Sequence, residues 1–270
     1  AFGLPVFQST IIGFDNLNQI LNQRLLYFFL GLSLVLATVL LFKRLPQAKT
    51  HTYFSVVFMI IFFAGAVVCA FNTYSFYKNT LDEKNLVIET GRQFENRDFP
   101  RLTDADIDIS HKGDLLEASA ALKFTNNNKN NLSSYLFSLN PGLKVTGVTT
   151  GGKELAFKQT HDIIEIDPGK SIAQGECDSI VISYKGTIIE AFCYPNFKDD
   201  IKKTPFRAVM LNINKRQAFL TDKYVLLTPE TYWYPVPGLN YYPSNPARIK
   251  IDFTNYTLHV RTKKGLTAVS

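Results

Sequence analysis

Residues 25–42 read "LLYFFLGLSLVLATVLLF", eighteen positions without a charge. At about 1.5 Å of rise per residue such a helix is roughly 27 Å long, close to the hydrocarbon thickness of a bilayer. Arg24 stands before the run and Lys43–Arg44 after it, where long cationic side chains reach the headgroups while their stems stay apolar. A second uncharged run, "FSVVFMIIFFAGAVVCAF", occupies residues 54–71 and is followed by Asn72, Tyr74, Tyr77 and Lys78. Two such runs so close together predict an α-helical transmembrane hairpin, with helices over about 25–42 and 54–74, rather than paired core helices of a water-soluble protein. A cleaved signal peptide fits poorly, because the first run begins well inside the chain and a second follows it. Neither run holds an Asp, Glu, Lys, Arg or His, so neither advertises an ion or proton path. Gly31, Ser33, Gly65 and Ala66 would let the two helices approach closely.

Charge follows the same division. Residues 1–78, read as the membrane region, carry Arg24, Lys43, Arg44, Lys49 and Lys78 against the single acid Asp15. Of the chain's 29 bases and 23 acids this leaves 24 and 22 for the remainder. That near balance gives no basic face, so a nucleic-acid partner is not expected. The connector "KRLPQAKTHT" (43–52) holds three bases and no acid, which the positive-inside rule places in the cytoplasm. Both flanks, including everything after residue 78, would then be extracytoplasmic. Before the first run, Ile11, Ile12, Phe14, Leu17, Ile20 and Leu21 lie among Asn and Gln. They read either as an interfacial amphipathic stretch or as the tail of an earlier external loop.

Residues 79–100 are polar and read as a stalk, a helix followed by irregular chain. From residue 101 the hydrophobic period becomes two. "LLEASAALKF" (115–124) alternates and breaks at "NNNKNN" (126–131); "SSYLFSLNPGLKVTGVTT" (133–150) holds two strands about a Pro–Gly turn. "LAFK", "DIIEID" and "SIVISYKGTIIEAFCY" continue as short strands, and "RIKIDF" (248–253) with "YTLHVRT" (256–262) reads as an antiparallel pair about Thr254–Asn255. Residues 101–270 are therefore expected to form an all-β domain, an antiparallel β-sandwich or saddle-like sheet. The chain opens on Ala1 and stops at "GLTAVS" within a strand-like pattern, so it is read as a piece of something longer.

Motifs that carry chemistry are missing. His51, His111, His161 and His259 lie too far apart for a local zinc pair and read as surface or turn histidines. No H-E-x-x-H, G-x-S-x-G or phosphate-binding loop occurs, and "GVTTGG" (147–152) reads as a turn between strands. Asp104, Asp106 and Asp108 alternate along one strand face, and without the glycine and closing Glu of a calcium loop they read as a solvated strand edge. Cys69 falls in the second span as packing. Cys177 and Cys193 flank a candidate hairpin about Lys185–Gly186, which would set Cys177 opposite Tyr194 and beside Cys193. A disulfide is conceivable there, and two free thiols are the alternative.

"LFSLNPGLKVTGVTTGGKELAFKQTHDIIEIDPG", "DSIVISYKGTII", "LLTPETYWYP" and "YTLHVRTKKGLTAVS" together resemble the N-terminal β-domain of the M1 (gluzincin) aminopeptidase family over roughly residues 100–270. The resemblance implies that Trp233 and Tyr234 pack the sheet onto a catalytic domain beyond this chain, and that Pro235 and Pro237 stiffen the crossing. It implies Glu230 as a substrate-binding residue near a peptide's terminal amine; capping or solvating the turn after Pro229 is its equal alternative. Zinc is implied only in that further domain, so no cofactor and no catalytic residue are expected here. The two spans upstream look like the last helix pair of an ABC-2-type permease, in a bacterial fusion of permease and M1-like peptidase. The implied partners are the lipid bilayer of a bacterial inner membrane, the downstream catalytic domain, an ABC ATPase subunit and peptide substrates. The alternative from another class is a transport-associated, non-catalytic binding or structural module of a permease.

Overall fold

The computed structural model describes residues 8–9, 13–14, 17–42, 49–193, 195, 217–245, 253–262, 265 and 267–269. The chain has two long apolar helices followed by an all-β domain of mainly antiparallel sheets. It divides into two compact units, residues 1–81 and 82–270.

In the first unit a two-residue ladder, β1 (Gln8–Ser9) with β2 (Gly13–Phe14), precedes helix α1 (Leu17–Leu41). Helix α2 runs from Lys49 to Phe94 and gives residues 49–81 to this unit. Both helices begin earlier than the apolar runs, because Asn, Gln and Thr at their starts break no helix. The two helices pair antiparallel through small and polar side chains. Ser33 Oγ donates to Met59 O at 3.2 Å, and Asn22 Nδ2 donates to Cys69 O at 2.9 Å and Thr73 Oγ1 at 2.8 Å. A Cβ on Gly65 would lie 3.1 Å from the Phe29 ring, so the glycine permits the close approach. Thr38 and Ser55 return their hydroxyls to the carbonyls of Leu34 and His51, which satisfies them without water. Phe28, Leu34, Val35, Phe58, Phe63, Val67 and Val68 remain exposed. Both helices are long and apolar enough to cross a membrane.

The second unit is built on a six-stranded sheet. Its members are β3 (Arg101–Lys112), β4 (Leu115–Thr125), β6 (Leu143–Thr150), β7 (Lys153–Glu154), β10 (Cys177–Gly186) and β14 (Asn255–Arg261), in the order β14-β3-β4-β10-β6-β7. A smaller sheet runs β13-β5-β9-β8, from β5 (Tyr135–Ser138), β8 (Ala156–Thr160), β9 (Ile163–Asp167) and β13 (Val236–Pro237). A short ladder joins β11 (Ala218–Leu220) to β12 (Val225–Leu227). Period-two patterning fills the space between the sheets: Ile107 and Ile109, Leu116 to Phe124 at alternate positions, and Ile180, Ile182 and Tyr184 all face inward. Tyr135 and Phe137 meet them from β5, with the Phe124 and Tyr135 rings 4.7 Å apart and edge-to-face. That geometry adds about 0.5–1.5 kcal/mol beyond area burial.

All four residues of β5 are buried, because its other face is covered too. Leu136 and Ile163 pack there with Phe99, Leu239 and Tyr242, and Phe94 of α2 leans on the group. Residues 82–94 of α2 and the segment after them thus belong to the β-unit rather than to a separate stalk over 79–100. Val87 and Thr90 are buried, and a Cβ on Gly91 would lie 2.9 Å from Tyr241 O.

Two sequence readings need correction, and a third falls largely outside the described residues. No hairpin forms about Lys185–Gly186: β10 runs straight from Cys177, paired to β4 on one side and β6 on the other, and the chain then leaves the sheet. The strand expected over 256–262 pairs in parallel with β3; residues 246–252, which hold most of its expected partner, lie outside the described residues. That parallel strand also makes β3 an inner strand, so Asp104, Asp106 and Asp108 are not an edge. Asn255, His259 and Arg261 approach them at 3.2 Å each, an exposed ladder beside a shallow hollow of about 360 Å³. Exposed pairs of this kind add little stability but favour one register.

Candidate functional site

Loops gather at the end of the β-unit where β5 leaves for β6, and the residue that organises them is Asn140 in "LNPG". It is fully buried. Its Nδ2 donates to Ile189 O at 3.1 Å and Thr231 O at 2.9 Å, and its Oδ1 accepts from Gly142 N at 3.0 Å and Ile189 N at 2.9 Å. Its backbone N donates to Tyr232 O at 2.8 Å. One amide therefore uses both donors and two acceptor sites to fix three loops, the full capacity of the side chain. Gly142 and Gly186 pack without room for a side chain: a Cβ on either would lie 2.1 or 2.0 Å from a carbonyl oxygen.

The stretch "YVLLTPETYWYPVPG" (224–238) crosses this end. Pro229–Thr231 makes one 3-10 turn, closed by Tyr232 in the left-handed region at φ 51°. Trp233 then points into the unit's own core, 8% exposed, with Tyr234 packed against it at 4.8 Å and edge-to-face. Tyr234 Oη donates to Tyr256 Oη at 3.3 Å. Val236–Pro237 extends the small sheet along β5, and Ser138 Oγ donates to Gly238 O at 2.6 Å. Trp233 is therefore committed to this unit's interior and is not an outward packing surface. Tyr234 is half-buried and ties the block to β14.

Glu230 stands exposed on the 3-10 turn, and its carbonyl accepts from Cys193 Sγ at 3.3 Å. Cys193 is buried beside Phe192, whose ring meets Tyr232 at 5.6 Å. Burial, reinforced by the charges of Glu190 and Glu230, pushes the Cys193 thiol up to about 12. It stays protonated at neutral pH and is no nucleophile. Cys177 is exposed at the far end of β10, paired with Thr125. Ten strand residues at about 3.3 Å each separate the two sulfurs' ends of the strand. Both cysteines are free thiols, and the conceivable Cys177–Cys193 disulfide is absent.

His161 is the feature that its sequence neighbours did not reveal. It occupies the β8–β9 turn at φ 54°. Its Nε2 lies 2.8 Å from Glu83 Oε1 of α2 and its Nδ1 3.0 Å from Asp162 Oδ1. Burial works against its charged form, but the hydrogen bonds and charges of Asp162 and Glu83 outweigh it and raise its pKa. Burial pushes the Asp162 carboxyl up against the pull of His161. "THD" showed a turn histidine; only the fold brings the carboxylate of residue 83 to its second nitrogen.

Among the described residues no group of three or more His, Cys, Asp or Glu is arranged to hold a metal ion. The loop end positions Glu230 and its neighbours, and among the described residues Cys193, the cysteine there, is held protonated.

No protein-family model matches the chain, and no curated protein matches it. Among solved structures it is similar to an M1 zinc metallopeptidase from Deinococcus radiodurans, at 16% identity over 61% of this chain and 32% of that one, with a TM-score of 0.41. A two-domain M1 zinc metallopeptidase variant bound to L-tryptophan gives 16% identity, 61% and 33% coverage, and a TM-score of 0.42. The chain spans about a third of the length of the solved structures it matches.

Proposed function

We propose that this chain is the membrane-anchoring segment and accessory β-domain of an M1-like zinc aminopeptidase, joined to an ABC-2-type permease in a bacterial inner membrane. The observation that carries the anchoring is the antiparallel pair α1 and α2, whose small and polar residues face each other while large apolar side chains face outward. The peptidase part of the reading rests on the sequence blocks around Asn140, Tyr184 and Trp233. Zinc would be held in a catalytic domain outside this chain, where it would activate water for attack on an N-terminal peptide bond. In this reading the basic connector 43–52 faces the cytoplasm and the β-unit faces outward. Glu230, exposed on its anchored turn, would approach the peptide amine. Peptides, the catalytic domain, the bilayer and an ABC ATPase subunit are the proposed partners.

The alternative is a transport-associated, non-catalytic binding or structural module of a permease, which shares the anchor and the β-unit and needs no zinc domain.

The test uses the protein as encoded, purified from membranes in detergent and given free and N-acetylated peptides. Chelator-sensitive loss of the first residue from free peptides alone, restored by zinc, supports the peptidase reading. Membrane residence without that activity supports the second. Recovery in the soluble fraction overturns both.

A further inference from the structure

The Glu83–His161–Asp162 group belongs to no part of the proposed chemistry, yet it joins two elements that are far apart in sequence. Glu83 sits on the last turns of α2, whose other end carries the second apolar run. Asp162 sits on the β8–β9 turn, and its backbone O accepts from Leu139 N at 2.8 Å, next to Asn140. The imidazole lies between them with its side chain only 16% exposed; the carboxylates are 18% and 3% exposed.

We propose that His161 is a proton-operated clasp that fastens residues 82–94 of α2 to the β-sheet. The reason lies in donor number. A protonated imidazole donates from both nitrogens, whereas the neutral ring has one N–H. When the proton leaves, one of the two carboxylates loses its donor, and a poorly solvated carboxylate without a partner is costly. The clasp is therefore closed when charged and half-open when neutral.

The two carboxylates act in one direction, against burial. Glu83 from α2 and Asp162 from the turn both favour the imidazolium. From β8, Gln159 reaches the backbone rather than the ring, its amide donating to His161 O at 3.4 Å. From the aromatic block, Tyr232 feels the Asp162 charge and stays a neutral phenol. Lys84, the nearest base in sequence, is buried on the same helix. Because the folded pKa of His161 is raised, the stabilisation is complete below the unfolded value and is lost as pH rises through the folded one. Val87, Thr90 and Gly91 lie just beyond the clasp, so its opening loosens their contacts with the β-unit.

The test is amide hydrogen exchange of residues 82–94 in the full chain in detergent, from pH 5.5 to 8.5 and corrected for the intrinsic pH dependence. The His161 titration is followed by NMR. In the wild type, protection of this segment should fall on the order of tenfold, the worth of a charge-assisted bond, in step with the His161 titration. His161→Asn accepts the left-handed backbone but is too short to reach Glu83. It should be poorly protected and flat across the range. Glu83→Gln keeps the length and drops the charge, so it should shift the loss of protection to lower pH. Should His161→Asn fail to fold, the wild type and Glu83→Gln still decide the matter. Wild-type protection that stays flat while His161 titrates, unchanged pH dependence in His161→Asn, or no shift in Glu83→Gln each overturns the clasp.

Discussion

Replacing Asn140 by Ala should release the loop end of the β-unit while leaving the sheets in place. The side chain makes four hydrogen bonds, to Ile189 O, Thr231 O, Gly142 N and Ile189 N, and Ala makes none of them. Each such bond contributes about 1 kcal/mol net, and a buried partner left unpaired costs about 1–3 kcal/mol. Several of the abandoned groups are only part-buried and can recruit water, so the total falls at about 3–5 kcal/mol rather than at the sum of the upper values. For a unit of this size that corresponds to a drop in Tm of roughly 10 °C. The assay is built in: Trp233 is the chain's sole tryptophan and lies two residues from the anchored Thr231 carbonyl. Its fluorescence should shift to longer wavelength in native buffer and its urea midpoint should fall. A variant with wild-type emission and a midpoint within about 0.5 kcal/mol of wild type would refute the assignment of Asn140 as the organiser of this end.

Three further outcomes follow from the same geometry. In the native, unreduced protein a maleimide should modify Cys177 rapidly and leave buried Cys193 untouched; two fast adducts, or a mass showing a Cys177–Cys193 bridge, would contradict the packing. Gly142→Ala should lose about 2–3 kcal/mol, because its Cβ meets Thr187 O at 2.1 Å and backbone cannot give way, whereas Gly147→Ala, with nothing within 4 Å, should stay within about 0.5 kcal/mol. Burial resists the charge on Asp178, but the 2.6 Å bond from Tyr135, the Ser179 amide and Lys170 overcome it and hold the carboxyl below its ordinary range. Asp178 therefore stabilises the fold above the unfolded value of about 3.8, and that gain is lost as pH falls through the folded one. Urea midpoints should show wild type above Asp178→Asn at pH 7 and converging with it on acidification; a constant gap would be the contrary result.

Much of this organisation is written locally. The charge-free runs dictate two apolar helices because, with no charge or breaker inside, each can satisfy its backbone only within itself. Period-two patterning in "LLEASAALKF" dictates a strand with Leu116 to Phe124 facing a core, and "NPG" dictates a turn. What local pattern cannot carry is pairing across distance. The straight course of β10 between β4 and β6 was hidden because Lys185–Gly186 looks like a hairpin turn in isolation, yet Gly186 is small to let Gly142 O approach. β14 pairs in parallel with β3, some 150 residues earlier, a partnership that no local pattern announces. The M1 resemblance implies Trp233 as a residue that packs onto a further domain, but the inner faces of both sheets leave a space that it fills. His161 shows its residue type in the sequence and nothing of its role; Glu83 reaches it only because the end of α2 is packed on the small sheet. The sequence by itself determined the two apolar helices and most of the strands, since those depend on neighbours within a few residues. Tertiary structure alone decided which strand lies beside which, where the aromatic block is buried and how the carboxylates converge on His161, because those energies arise only when distant segments exclude water together.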